Sequence, residues 1–355
     1  MGPVRHFQNI LVTGGCGFIG TNFIRYLLEE SDYKGRIINV DKLNYAGNPE
    51  NLADISAKMP DRYSFIKADI YDRKDLADIL DNHQVDAICH FAAESHVDRS
   101  ILDPDAFIRS NIVGTYHLLE LARERLDRIR LFHHVSTDEV FGTLGTTGSF
   151  TEETPYRPNS PYSASKASSD HLVRAYRATY ALPITISNCS NNYGPYQFPE
   201  KLIPLVILNA MEGKALPVYG DGLNVRDWLY VRDHCVAVWS IMKSGEIGET
   251  YNVGGNCEMQ NLHVVEIICD VLDEILGKKK NRSRRELISF VKDRPGHDRR
   301  YAIDSSKIQK QLSWKPVETF ETGIRKAIDW YLKHTEWVEH VRKGEYQSWI
   351  KKQYG

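Results

Sequence analysis

No run in this 355-residue chain approaches the roughly 20 consecutive apolar residues that cross a bilayer, which argues against a membrane-spanning helix. Cysteine is scarce, and its six copies, Cys16, Cys89, Cys189, Cys235, Cys257 and Cys269, form no C-x-x-C pair. Most sit in apolar runs, as reduced core cysteines do, so neither a zinc site nor a disulfide framework is expected. The thirteen histidines include no H-E-x-x-H, and adjacent His133 and His134 on a strand would face opposite sides of a sheet. No metal is expected. Positive charge is not in excess either: the formal net charge is −2, which leaves no electrostatic footprint for nucleic acid. One basic run, Lys278-Lys-Lys-Asn-Arg-Ser-Arg-Arg285, follows a helical pattern ending at Gly277 and reads as a solvated loop. No charged-then-apolar leader opens the chain, and His6 stands where myristoylation wants serine or threonine, so a cytoplasmic location is expected.

What remains is an ordinary globular composition, 42% hydrophobic and 26% charged, long enough for a large core and two domains. The apolar strand Asn9-Ile-Leu-Val12 runs into Thr13-Gly-Gly-Cys-Gly-Phe-Ile-Gly20. Phe23, Ile24, Leu27 and Leu28 follow at helical spacing, so the glycines sit at a strand-to-helix turn whose N–H groups suit a pyrophosphate. A second strand, Arg36-Ile-Ile-Asn-Val40, ends in Asp41, placed to bind a ribose 2′-hydroxyl, which favours NAD over NADP; Lys42 beside it argues the other way. Strands at 63–66 and 85–91 then alternate with helical stretches at 73–82 and 105–125. That alternation predicts an α/β fold with a doubly wound parallel sheet of Rossmann type.

Two stretches carry the chemistry. Ser136-Thr-Asp-Glu139 follows the apolar run Leu131-Phe-His-His-Val135, which puts a hydroxyl and two adjacent carboxyls just past a strand end, where ligands of open α/β sheets bind. Ser136-x-x-Glu139 is also formally a capping box, but glycines at 142, 145 and 148 make poor helix. Tyr162-Ser-Ala-Ser-Lys166 follows Asn159-Ser-Pro161, a cap and a first-turn proline, and opens a helical pattern running to Tyr180. Its phenol and amine therefore share one helix face. A second copy of the spacing, Tyr63-Ser-Phe-Ile-Lys67, lies in a strand-like stretch, where residues four apart are separated by about 13 Å.

After the strand Ile184-Thr-Ile-Ser-Asn-Cys189 the texture changes to short elements rich in proline, glycine and asparagine. The chain is expected to divide into a dinucleotide domain, 1–188, and a smaller C-terminal α/β substrate domain, 189–355, with some interleaving. A smaller lid of loops and helices is expected there rather than more sheet. Arg226 and Arg294 are candidates to clamp a diphosphate, although a lone arginine is more often a solvated ion-pair partner. The stretch 320–349 has apolar residues at helical spacing and should pack on the rest.

Together these motifs resemble the extended short-chain dehydrogenase/reductase family, and within it the 4,6-dehydratases of nucleotide sugars, from Thr13-Gly-Gly to Arg300-Tyr301. The specific matches are Thr137-Asp-Glu139, Ala92-Ala-Glu-Ser-His-Val-Asp-Arg-Ser100, Asn191-Asn-Tyr-Gly-Pro-Tyr196, Arg226-Asp-Trp-Leu-Tyr230 and Asp293-Arg-Pro-Gly-His-Asp298. Departures are small: Cys16 replaces a usual alanine and Phe141 a usual tyrosine, neither of which carries chemistry. The resemblance implies NAD as cofactor, held by Gly14, Gly17, Phe18, Ile19, Gly20, Asp41, Lys42, Asn44, Asp69, Ile70, Ala92, Ala93, Ser95, Ser110, Tyr162, Lys166 and Asn192. It implies dTDP-glucose as substrate, with contacts from Ser95, His96, Thr137, Asp138, Glu139, Asn191, Lys201, Leu202, Pro217, Tyr219, Arg226, Asn261, Arg294 and His297. It also implies a homodimer through two long helices per subunit, 105–125 and Pro161–Tyr180.

The implied chemistry uses Tyr162, helped by Lys166, to take the C4 hydroxyl proton while hydride passes to NAD. Glu139 then removes the C5 proton, Asp138 protonates the departing C6 hydroxyl, and hydride returns to C6 and a proton to C5, giving a 4-keto-6-deoxy sugar and water. A sugar-nucleotide 4-epimerase would share the fold, Tyr162 and Lys166 but has no need of the carboxyl pair. A dinucleotide-sensing module would need only the glycine turn. The residues alone do not fix the base or the hexose.

Overall fold

The computed structural model describes residues 4–278 and 281–343; Lys279 and Lys280 of the basic run and the end of the 320–349 stretch lie outside them. Its strands are β1 Asn9–Thr13, β2 Arg36–Asp41, β3 Tyr63–Lys67, β4 Ala87–His90, β5 Leu131–Thr137, β6 Ile184–Cys189, β7 Asn191–Tyr193, β8 Leu216–Tyr219, β9 Val225–Tyr230, β10 Thr250–Val253, β11 Glu258–Gln260 and β12 Ile288–Val291. Seven of them form one parallel sheet in the order β10-β6-β5-β4-β1-β2-β3. Both faces are covered, which is why these strands read as almost unbroken apolar runs. Along β1, Ile10 and Val12 enter a core with Phe23, Ile24 and Leu27, while Leu11 points into the opposite core with Leu76, Leu118 and Phe132. All three β1 side chains are fully buried, and truncating one to alanine would cost about 2–5 kcal/mol.

The strand order reverses between β1 and β4, and in such sheets the crevice outside the strands' carboxyl ends receives the ligand. The 105–125 stretch is not one regular helix: a widened π-turn, Ile108–Gly114, precedes the regular helix Thr115–Arg123. Gly114 sits there because a Cβ would stand 2.6 Å from the side chain of Ile70. Pro161–Tyr180 is a regular helix opened by a reciprocal Ser160–Ser163 capping box.

The expectation of loops and helices beyond residue 189 needs correction. Strand β10 returns to the main sheet and pairs with β6, burying Tyr251 and Val253 completely. A four-residue strand with two polar positions, Thr-Tyr-Asn-Val, is too short to display an apolar alternation. Two smaller sheets, β11-β9-β7 and β12-β8, lie nearby. A third core joins helices Leu202–Glu212, Asn261–Leu276 and Phe320–Lys333. The basic run also differs from a solvated loop: Arg284 is buried, held to Asp273 at 2.6 Å and to the carbonyl of Gly277 at 2.8 Å. Among the described residues, no helix is long and apolar enough to cross a membrane.

Candidate active site

A cleft of about 1590 Å³, open to solvent, runs over the carboxyl ends of β1, β2, β4 and β5. Gly14, at φ +72°, belongs to the strand-to-helix turn; a Cβ on it would lie 2.7 Å from the backbone of Ala92. Gly20 is equally constrained, since a Cβ would meet the Gly14 carbonyl at 2.3 Å. Gly17 is different: its nearest neighbour would be 3.3 Å away, and it lines the cleft as the residue before helix Phe18–Arg25. No side chain caps that helix start, so its first N–H groups, which have no partner within the helix, remain for an anion.

On the next strand the Asp41 carboxylate is fixed by the backbone N–H groups of Cys16 at 3.0 Å and Leu43 at 2.8 Å. Burial pushes its carboxyl up, and those two donors oppose the shift. The fixed acceptor fits a ribose hydroxyl. Lys42 does not stand ready for a 2′-phosphate, because its ammonium is committed to Glu94 at 2.8 Å and Ser110 Oγ at 2.9 Å. Every residue expected at the dinucleotide lines this cleft. The turn, the uncapped helix start and the Asp41 acceptor therefore fit NAD.

Sequence reasoning missed the cleft's roof. Tyr45 donates to Glu200 Oε1 at 2.8 Å, Arg99 donates to Glu200 Oε2 at 3.3 Å, and the guanidinium lies 3.6 Å from the Tyr45 ring centre. Adjacency to Lys201 was the available signal for Glu200. Nothing local marks Tyr45, and Arg99, although inside the matched stretch 92–100, gives no sign there of a partner so far along the chain.

Strand β5 ends at Thr137 in extended conformation, and a 3₁₀ turn, Asp138–Phe141, follows. The cap is Thr137, whose hydroxyl accepts from Glu139 N at 3.3 Å; Ser136 instead donates to Asp170 at 2.8 Å. Burial, then the charges of Glu139 and Asp227, push Asp138 well above the carboxylate range. Glu139 is also raised by burial, but Arg294, Arg226 and Lys201 all pull it down. Both adjacent carboxyls are thus raised by burial, Asp138 the further of the two.

Tyr162 and Lys166 are both buried in the cleft wall, and the Lys166 ammonium donates to the Val135 carbonyl at 2.8 Å. Burial, then Glu139, push the Tyr162 phenol well above its ordinary value, while the Thr137 hydroxyl lowers it. A cation near the phenol is therefore a requirement for it to act as a base.

Ser95, Asn191 and Lys201 line the same cleft, Lys201 donating to the Ser95 carbonyl at 3.0 Å. His96 is buried, its Nε2 4.0 Å from Glu200, and Leu202 opens the helix after Lys201. The other expected substrate residues stand off this wall. Arg226 is buried, donates to the carbonyls of Val225 and Asp298, and lies 4.2 Å over the Tyr301 ring, so it is no solvated ion-pair partner. Arg294 and Tyr219 both reach Asp98, at 3.3 and 3.1 Å. His297 approaches Asp293 at 2.6 Å, and Pro217 lies in β8 opposite Ser289. Asn261 opens its helix by donating its N–H to the Asn224 carbonyl, with its side-chain oxygen buried and unpartnered among the described residues.

A Rossmann sheet bearing a tyrosine–lysine pair on its crevice is the arrangement of the extended short-chain dehydrogenase/reductase class, and the two adjacent carboxyls are an addition to it. The model of the family described as GDP-mannose 4,6 dehydratase matches residues 11–327, and the chain belongs to that family. It is similar to a dTDP-glucose 4,6-dehydratase of Escherichia coli, 58% identical over 364 residues that cover 98% of this chain and 99% of that one. Among solved structures, it is similar to the Bacillus anthracis dTDP-glucose 4,6-dehydratase in complex with NAD, with TM-score 0.84, 47% identity, and 94% and 99% of the two chains covered. The Streptomyces venezuelae dTDP-glucose 4,6-dehydratase, also solved with NAD, gives TM-score 0.86 at 44% identity, covering 94% of this chain and 100% of that one.

Proposed function

We propose that the chain is an NAD-dependent hydro-lyase that converts dTDP-glucose to dTDP-4-keto-6-deoxyglucose and water. The observation that carries this reading is the carboxyl pair Asp138–Glu139 on the same cleft as Tyr162 and Lys166, in a chain 58% identical to a dTDP-glucose 4,6-dehydratase. An epimerase has no use for that pair.

NAD, when bound, takes a hydride from the sugar C4 and returns it to C6. The remaining work belongs to the protein. Gly17 and the helix start behind it hold the pyrophosphate, and Asp41 holds the adenosine ribose. Tyr162 accepts the C4 hydroxyl proton, with the Lys166 ammonium supplying the positive charge that a buried phenolate requires. The resulting ketone acidifies C5, and Glu139, kept the more ionised by three nearby cations, removes the C5 proton. Asp138, kept protonated by burial and by Glu139, gives its proton to the departing C6 hydroxyl, and a proton returns to C5 as the hydride reaches C6, completing the 4-keto-6-deoxy sugar. Arg226 and Arg294 hold the diphosphate beyond the sugar. Positioning of this kind, added to general acid–base chemistry worth about 10²–10⁴-fold per group, is the enzyme's contribution.

The cofactor is carried by 1–188 and the sugar nucleotide mainly by 189–355, with β10 returning to the edge of the main sheet. A homodimer forms through 105–125 and Pro161–Tyr180; in support, Ile101, Leu102, Ile108, Tyr116 and Tyr180 on or beside these stretches are exposed apolar side chains. Six free cysteines fit the reducing cytoplasm. The test is incubation with a panel of dTDP-, UDP- and GDP-hexoses. A 4-keto-6-deoxy product from dTDP-glucose alone supports the reading, and a 4-epimer without water loss overturns it.

A further inference from the structure

One element of the C-terminal stretch reaches the back of the glycine turn. Helix Thr335–Val341 has seven residues, too few to be stable alone, so its position is set by what its side chains hold. Val338 enters the third core, while two others lead to the cofactor side: His340 Nδ1 stands 2.8 Å from Glu50, and Trp337 Nε1 donates to Asn51 Oδ1 at 2.7 Å. Asn51 lies on the 3₁₀ turn Pro49–Leu52 and is buried. Its Nδ2 donates to the Cys16 carbonyl at 3.2 Å and to Thr21 Oγ1 at 3.3 Å, and the Thr21 hydroxyl donates in turn to the Gly15 carbonyl at 3.1 Å. Its own backbone carbonyl accepts from Arg25 at 2.8 Å. One asparagine thus holds the glycine turn, the middle of helix Phe18–Arg25 and that helix's last residue. None of the roles given above uses Asn51 or Trp337.

The residue type suits that place. A carbonyl only accepts and an indole N–H only donates, so the side chain between them must offer both a donor and an acceptor, as an amide does. The same rule fixes which way the amide faces: oxygen to Trp337, nitrogen to Cys16. Asn48 N also donates to the Cys16 carbonyl, at 3.0 Å. Pinning that carbonyl sets the peptide plane leading into Gly17, and with it the aim of the uncapped N–H groups at the start of the helix. We propose that helix Thr335–Val341 latches the pyrophosphate turn, with Trp337 and Asn51 as the residues that position it, so that the dinucleotide stays bound through both hydride transfers. The inference rests on the reading of that turn as the NAD site. The reaction gives retention a purpose. Loss of the reduced cofactor after C4 oxidation would remove the hydride that C6 requires and strand the ketone.

The experiment loads the full-length protein with radiolabelled NAD and follows its release into an excess of unlabelled NAD, in wild type, Trp337→Phe, Asn51→Leu and the double variant. Trp337→Phe keeps an aromatic ring but removes the N–H, and release should quicken about three- to tenfold, the worth of one hydrogen bond left unmade. Asn51→Leu should quicken it further, because Cys16 and Thr21 lose their donor as well. The double variant should be no faster than Asn51→Leu, since the indole acts only through the amide. With NAD in excess, the KM for dTDP-glucose should match wild type in Trp337→Phe, which separates a loosened turn from a loosened fold. A readout that needs no NAD is amide hydrogen exchange, which should rise over 13–20 in Trp337→Phe and stay level over the remote helix Arg73–Asn82. Release as slow as wild type in a folded Trp337→Phe protein overturns the proposal, and so do losses that simply add in the double variant. Should Asn51→Leu not fold, Asn51→Ala takes its place in the cycle. Wild type that holds no NAD would strike the cofactor reading instead, and the exchange over 13–20 then decides the latch.

Discussion

Tyr63 and Lys67 repeat the spacing of Tyr162 and Lys166, and the two pairs occupy opposite roles because their backbones differ. On β3 the Tyr63 ring turns into the core, where its hydroxyl accepts from Asn39 Nδ2 at 2.9 Å. Lys67 is exposed at the strand end, in register with Asp41. On the helix Pro161–Tyr180, the second pair lies one above the other and both members face the cleft. Burial pushes both phenols up, so burial does not distinguish them. What distinguishes them is the opening to a ligand: Tyr162 and Lys166 both line the cleft, and neither Tyr63 nor Lys67 does.

The largest expected effect tests that distinction directly. Tyr162→Phe should lower C4 oxidation, read as appearance of bound NADH absorbance, by about 10²–10⁴-fold. Tyr63→Phe should leave turnover within about twofold and cost about 1 kcal/mol of stability through the bond lost to Asn39. Equal losses of turnover would erase the difference between the pairs.

Next in size, the carboxyl pair should divide its labour. Asp138→Asn and Glu139→Gln should both oxidise C4, because that step belongs to Tyr162, yet fail to complete water loss, so that reduced cofactor accumulates in each. Run in deuterium oxide, Asp138→Asn should still exchange the C5 proton of the bound ketone, whereas Glu139→Gln should not. Rapid exchange in Glu139→Gln would reverse the assignment.

A smaller effect concerns stability. Asp138 is held well above 3.8, so the folded protein keeps a proton that the unfolded chain releases, and stability falls as pH rises through 3.8 towards the folded value. Asp138→Asn should therefore melt higher than wild type near neutral pH, with the gain vanishing below pH 3.8. Thermal melts at both pH values check it; a gain of equal size at both would mean that charge is not the cause. The smallest expected effect is that of Lys67→Met, whose steady-state kinetics should match wild type if the strand pair is inert.

Much of this architecture could be read in advance wherever local pattern carries it. The glycine turn, the strand ending at Asp41, the helices Arg73–Asn82 and Pro161–Tyr180 and the parallel sheet all announce themselves through periodicity, caps and turn residues. What stayed hidden depends on partners far along the chain. Arg284 looks like part of a solvated run until Asp273 is seen beside it, and Glu200 acquires meaning only from Tyr45 and Arg99. Asn51 is the sharpest instance: nothing beside it announces the indole of Trp337, 286 residues further on.

The return of β10 to β6 has a consequence for how the protein is made. Domains emerging from the ribosome tend to fold from the N-terminus as they appear. Here a nascent chain reaching only Cys189 would present β6, with buried Ile184 and Ile186, as a bare sheet edge. Such an edge is a template for pairing with another chain. Translation must pass Val253 before the edge is covered. A gene truncated after Cys189 should thus yield aggregate rather than a free dinucleotide-binding module, which ties the two halves of the site into one folding event.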